Sequence, residues 1–183
     1  MDVVQPAKPG VLGSKPYTGF DGVAPGITGG LAQWIIEARR TSKGVLWSNG
    51  AYGVRDQRNH PGKMSVHATG RAVDLSYRRY GGKGVPGGRP LAVAWLDIVI
   101  ANANVLGVEC VLDYWGPPHG HGRGWRCDRQ AWQGYTKPTI GGAPGGDWFH
   151  VEIAPWIARD AKAVRAAFRQ VFPNIPPIVK PIQ

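Results

Sequence analysis

Ser65-Val66-His67-Ala68-Thr69-Gly70-Arg71-Ala72-Val73-Asp74 is the stretch on which the reading of this chain turns. Residues 50–70 are polar and contain glycine, which predicts a loop, and Arg71–Tyr77 predicts a strand. On that strand Val73 and Leu75 point one way, toward a core, while Ala72, Asp74 and Ser76 point the other. Gly70 allows a sharp turn at the junction. His67 therefore ends a loop, Asp74 leaves the strand's outer face, and an imidazole and a carboxylate converge on one corner.

A second stretch, Asp147-Trp148-Phe149-His150-Val151-Glu152, supplies the matching half. Trp148–Ile153 predicts a strand in which Phe149, Val151 and Ile153 enter the core, leaving His150 and Glu152 on the opposite face. Two imidazoles and a carboxylate suit a Zn²⁺ site of three protein ligands, with the fourth position open to water, as catalytic zinc requires. Zinc lowers the pKa of that water to about 7, and a nearby carboxylate must then accept its proton.

The remaining elements follow from periodicity. Leu31, Trp34, Ile35 and Ala38 make one apolar face of a helix over residues 28–40, with Thr28 as N-cap and Gly44 just past its end. Val45–Ser48 predicts a short strand. Pro90 opens a second helix that runs to Val105 and ends at Gly107; it is apolar nearly all round, so it is expected deep in the core. Val108–Tyr114 predicts another strand. Residues 116–146 hold nine Gly and four Pro and predict a long lid or binding loop, which carries His119 and His121. Pro155 opens the last helix, in which Ile157, Ala161, Val164, Phe168 and Val171 keep the period, and Pro173 ends it. The expected fold is α+β: a small, mainly antiparallel sheet of about four strands covered by roughly three helices, with a long Gly/Pro-rich lid loop.

Composition narrows the classes. Of 183 residues, 43% are hydrophobic and eight are Trp, which argues against a disordered chain. Lys and Arg number 22 against 12 Asp and Glu; the net charge of +10 favours a polyanionic partner such as nucleic acid, an acidic membrane surface or an anionic cell wall. The basic residues are spread along the chain, and the nearest cluster, Tyr77-Arg78-Arg79-Tyr80-Gly81-Gly82-Lys83, reads as a solvated loop. The most apolar stretch, Leu91–Leu112, is broken by Asp97, Asn102, Asn104 and Glu109, so no membrane insertion is expected. The opening residues show no basic n-region and no apolar h-region, so no signal peptide is expected. Cys110 and Cys127 permit one disulfide or none.

The pattern S-x-H-x-x-G-x-A-x-D over Ser65–Asp74, followed by D-x-x-H over Asp147–His150, resembles the zinc peptidases that cut peptidoglycan peptides. This M15 group includes D-Ala-D-Ala carboxypeptidases, D,D-dipeptidases and phage endolysins acting as L-alanyl-D-glutamate peptidases. The resemblance covers residues 28–172 in the order of elements and is specific at the two motifs. It implies Zn²⁺ held by His67, Asp74 and His150, with Asp147 as general base. It also implies that Arg55 stabilises the oxyanion of the tetrahedral intermediate. Many relatives carry Glu where this chain has Asp147. A regular strand would put Asp147 on the face opposite His150 unless the chain bends after Gly145-Gly146. Glu152 shares the His150 face and is the rival base or a partner behind the metal ligands. Ser65 is either a ligand or substrate contact or a plain turn serine.

On the same resemblance, residues 28–173 form a zinc peptidase domain between an extended lead-in, 1–27, and a Pro-rich tail or linker, 174–183. Bacterial peptidoglycan is the expected partner of a monomeric enzyme made in the host cytoplasm without a signal peptide and acting on the wall after release. The scissile bond, L-Ala–D-Glu or D,D, depends on the shape of the pocket. Two other classes compete: a non-catalytic zinc-bearing module that binds the cell wall, and a basic nucleic-acid binder with stacking aromatics.

Overall fold

Period-two alternation along three strands places Val73, Leu75, Val111, Phe149, Val151 and Ile153 in one apolar cluster with helix residues Leu31, Trp34, Leu96, Val99 and Phe168. In the computed structural model, which describes residues 15–58, 60–116, 120–137 and 145–176, this cluster joins helices to one face of a sheet. The elements in chain order are α1 (Gly29–Thr41), β1 (Trp47–Gly50), β2 (Asp56–Gln57), β3 (His60–Met64), a 3-10 turn (Val66–Thr69), β4 (Ala72–Ser76), α2 (Gly88–Ala101), α3 (Ala103–Leu106), β5 (Val108–Asp113), β6 (Arg123–Arg126), β7 (Ala131–Gly134), β8 (Trp148–Ile153), α4 (Pro155–Ala158) and α5 (Ala161–Val171). Six strands form an antiparallel sheet in the order β1-β4-β8-β5-β6-β7, and β2 and β3 pair separately.

The α+β class agrees with expectation; the count of elements does not. The sheet has six strands rather than four because the 116–146 stretch contains the β6–β7 hairpin. The glycines of that stretch suggest a free loop, yet Gly124 lies inside β6, where a Cβ would run into the Tyr135 side chain and Leu112. Close packing, not freedom, selects glycine there. The 50–70 stretch likewise holds the β2–β3 hairpin, whose residues are almost all exposed and so carry no apolar alternation to read. The first strand is Trp47–Gly50, two residues later than expected. The lid-loop residues 117–119 and 138–144, with His119 among them, and the chain ends 1–14 and 177–183 lie outside the described residues.

Among the described residues the helices number five, because two of the expected ones divide. Asn102 turns its side-chain amide back to the Ile98 carbonyl at 2.9 Å and leaves helical geometry, separating α2 from α3. Asp160 caps α5 by accepting from the N–H groups of Lys162 and Ala163, separating it from α4. Helix α2 buries only the face of Ala92, Trp95, Leu96 and Val99, and leaves Leu91 and Ile98 exposed; it covers the core instead of lying within it. Helix α1 is capped by Thr28, as its sequence predicts. It buries Leu31, Trp34 and Ala38, with Trp34 edge-on to Phe168 and Trp95. Burial of each such large side chain is worth roughly 1.5–3 kcal/mol.

Residues 15–28 contain no helix or strand and are pinned across the outer part of the sheet. Ala24 N–H donates to the Ala68 carbonyl, and Thr28 N–H to that of Gly70. Buried Arg71 donates to the carbonyls of Gly19 and Ile153 and to Asp21, and Thr18 donates to Glu109 at 2.6 Å. Among the described residues no helix is long and apolar enough to cross a membrane.

Candidate metal centre

The register of β4 against β8 sets Asp74 directly opposite His150. On the other side of β8, β5 sets Leu112 opposite His150 and Cys110 opposite Glu152. All of these side chains leave the face that the helices do not cover, because Phe149, Val151 and Val111 occupy the core face. His67 reaches the same place from the 3-10 turn. Ser65 caps that turn, its Oγ accepting from the His67 N–H, and Gly70 ends it in the left-handed conformation at φ 67°. A Cβ at position 70 would collide with the Gly26 carbonyl oxygen, so glycine is required by space as well as by backbone angle.

Three donors meet. Asp74 Oδ1 lies 3.4 Å from His67 Nε2 and 3.1 Å from His150 Nδ1, and the imidazole rings are 4.8 Å apart at their centres. Donors bound tetrahedrally at about 2.1 Å to one ion stand about 3.4 Å apart, so these spacings suit a metal ion. His67 and His150 are buried, Asp74 partly so, and the three form a group able to hold one ion. Burial works against charge on Asp74, but hydrogen bonds from His150 and His67 outweigh it and hold the carboxyl well below its usual range. At His150 burial disfavours the cation, yet hydrogen bonds to Asp74 and Glu152 raise the imidazole to about 10.

Glu152 stands behind His150, its Oε1 2.9 Å from Nε2. Its other oxygen accepts from the Tyr17 hydroxyl at 2.7 Å. One carboxylate oxygen is thus engaged by His150 itself and the other by Tyr17. Asp147 immediately precedes β8; its carbonyl accepts from Tyr77 N–H and Ser76 Oγ. Its Oδ2 lies 3.5 Å from Arg78 Nε, and its buried Oδ1 has no hydrogen-bond partner.

A cleft of about 220 Å³ opens over the three donors. Its floor includes Tyr17, Ser65, Cys110 and Glu152, and Leu112, Tyr114 and Trp148 line it as well. Arg55, Gln57, Arg58 and His60 come from the β2–β3 hairpin and the loop before it. The Arg55 carbonyl accepts from Ser65 N–H at 2.9 Å, tying that loop to the turn that carries His67. Asp147 is not among the cleft-lining residues.

The cleft is lined by further residues outside the two motifs. Trp148 was legible, since it shares strand parity with His150. Tyr17, Arg58 and His60 lie in segments without periodicity, and nothing local marks them. Cys110 and Cys127 are both free and buried; burial pushes the Cys110 thiol well up, so it stays protonated. His121 donates its backbone N–H to the Tyr135 carbonyl and takes no part in the three-donor group.

Comparison with protein-family models, with curated proteins and with solved structures finds no match. The fold and the site define the molecule by themselves: an α+β protein with a buried His-Asp-His group that suits a metal ion.

Proposed function

We propose that this protein is a zinc-dependent peptidase acting on the peptides of bacterial peptidoglycan, of the phage-endolysin kind. The observation that carries the reading is the meeting of His67, Asp74 and His150 on the floor of one cleft, with Arg55 on its wall. His67, Asp74 and His150 would hold a divalent ion, and a set of only three protein donors is the mark of a catalytic rather than a structural site. An ion held there would supply Lewis acidity toward a peptide carbonyl and make water nucleophilic at neutral pH.

The chain's own groups do the rest. Arg55, exposed on the cleft wall, offers a cation where negative charge develops on the carbonyl oxygen. Asp147 is the base that takes the proton from water and returns it to the leaving amine. Both oxygens of Glu152 are already occupied, which leaves Asp147 as the carboxylate free for that role. Arg55 and Arg58 make one side of the cleft cationic, which suits a stem peptide rich in carboxylates. The net charge of +10 holds such an enzyme on an anionic wall.

Mass spectrometry of purified peptidoglycan incubated with the protein tests this directly. New amine termini are expected with Zn²⁺ and none with a chelator, and the fragment masses identify the bond cut. A second reading, a metal-bearing wall-binding module without turnover, draws on one observation: the Asp147 carboxylate meets Arg78 and does not line the cleft. Wall binding with full zinc loading and no new termini would favour it.

A further inference from the structure

We propose that Tyr17 is a positioning residue of the metal centre, acting through Glu152 on the ring of His150. It rests on the His-Asp-His group as a metal site and not on any reading of the reaction. The chain of contacts is continuous: the Tyr17 hydroxyl donates to Glu152 Oε2 at 2.7 Å, and Glu152 Oε1 lies 2.9 Å from His150 Nε2. His150 Nδ1 then faces Asp74 Oδ1 at 3.1 Å, on the side where His67 also points.

A histidine ligates through one nitrogen while the other, as N–H, donates to an acceptor that fixes tautomer and ring angle. Glu152 is that acceptor, and as an acceptor-only carboxylate it forces the hydrogen onto Nε2 and leaves the Nδ1 lone pair for the ion. A buried carboxylate with one oxygen unbound would be free to turn about its side-chain torsions. Tyr17 removes that freedom by holding the second oxygen. The phenol suits this role: burial first, and the neighbouring Glu152 charge next, push its pKa far up, so it remains a donor throughout the working range. The Arg126 guanidinium lies 4.4 Å over its ring and fixes it from the other side.

The segment that carries Tyr17 is independently anchored by Thr18 to Glu109 and by Arg71 to Gly19 and Asp21. This allows the hydroxyl to be separated from the anchoring. The test is a competition titration of Zn²⁺ against a chromogenic chelator for the full chain and for Tyr17→Phe, Thr18→Val and Glu152→Gln. The d–d spectrum of the Co²⁺-loaded forms is read alongside. Removal of a group behind a metal ligand lowers affinity by about 10–100-fold. Tyr17→Phe, one bond further out, is expected to lose about tenfold and to shift the Co²⁺ spectrum, while Thr18→Val leaves both within about twofold.

Unchanged affinity and spectrum in Tyr17→Phe would overturn the proposal, and so would an equal loss in Thr18→Val, which would assign the effect to anchoring. Should Tyr17→Phe fail to fold, Glu152→Gln decides: a loss at least as large with an altered Co²⁺ spectrum supports the chain of contacts, and none overturns it. A wild-type protein that takes up no Zn²⁺ would overturn the metal site and this role together. Zinc uptake without peptidase activity would sink only the proposed function.

Discussion

Asp74 and His150 face each other across the antiparallel register of β4 and β8, Oδ1 to Nδ1 at 3.1 Å. Two of the three donors are therefore positioned by backbone pairing, and only His67 depends on a turn. Loss of a single donor should accordingly weaken the candidate metal site without unfolding the chain. His67→Ala and His150→Ala each remove one donor, and isothermal titration is expected to show Zn²⁺ affinity falling by at least about 100-fold in either. Far-UV circular dichroism should change little, because the core face of both strands is untouched.

The pH dependence of binding has a definite sign. Hydrogen bonds to Asp74 and Glu152 hold the His150 imidazole at about 10 against the cost of burial, so at neutral pH it carries a proton that must leave before Nδ1 can ligate. Asp74, held well below its usual range, needs no such release. Apparent Zn²⁺ affinity is expected to rise about tenfold per pH unit between about pH 6 and 8, with about one proton released per ion bound. A flat profile in non-coordinating buffer would contradict this.

Gly70 is the most sensitive backbone position near the site. Gly70→Ala places a Cβ against the Gly26 carbonyl in a left-handed conformation, at φ 67°. The left-handed penalty alone is about 1–2 kcal/mol, and the collision adds to it. Chemical denaturation should show a loss of at least about 2 kcal/mol. Because the same turn carries His67, zinc affinity should fall with it.

Arg55 and Arg58 share a wall of the cleft but should divide in kinetics. Arg55→Ala is expected to lower kcat by about 100-fold with KM nearly unchanged, as loss of an oxyanion donor does. Arg58→Ala, removing only a cation that greets the substrate, should raise KM and leave kcat alone. Steady-state assays on a soluble muropeptide separate the two.

Asp147→Asn is expected to abolish turnover while leaving Zn²⁺ affinity within about threefold, since Asp147 is not one of the three donors. Turnover retained at near wild-type rate would remove Asp147 as the base.

Much of the site is legible in the order of residues alone. Period-two alternation puts Asp74 and His150 on the outer faces of their strands, and the register then brings them together. What cannot be read is anything set by long-range docking. Tyr17 meets Glu152 from 135 residues away, and no local pattern announces that a tyrosine in a proline-rich lead-in ends beside the carboxylate behind His150. The β2–β3 hairpin is invisible for a different reason: its residues are exposed on both faces, so burial leaves no trace in their order. Gly124 misleads because glycine serves tight packing and free loops alike, and only the Tyr135 and Leu112 neighbours tell which. Asn102 and Asp160 are short polar residues whose side chains bond nearby backbone groups, and each breaks a helix that the period alone would have continued.

Strand β8 is paired along both edges, by β4 on one side and by β5 on the other. Amide protons along it should therefore be among the slowest to exchange with deuterium, opening only when the molecule as a whole unfolds. The metal-free protein is thus a ready-made receptacle: loading and stripping of the ion should proceed reversibly, without passage through a denatured chain.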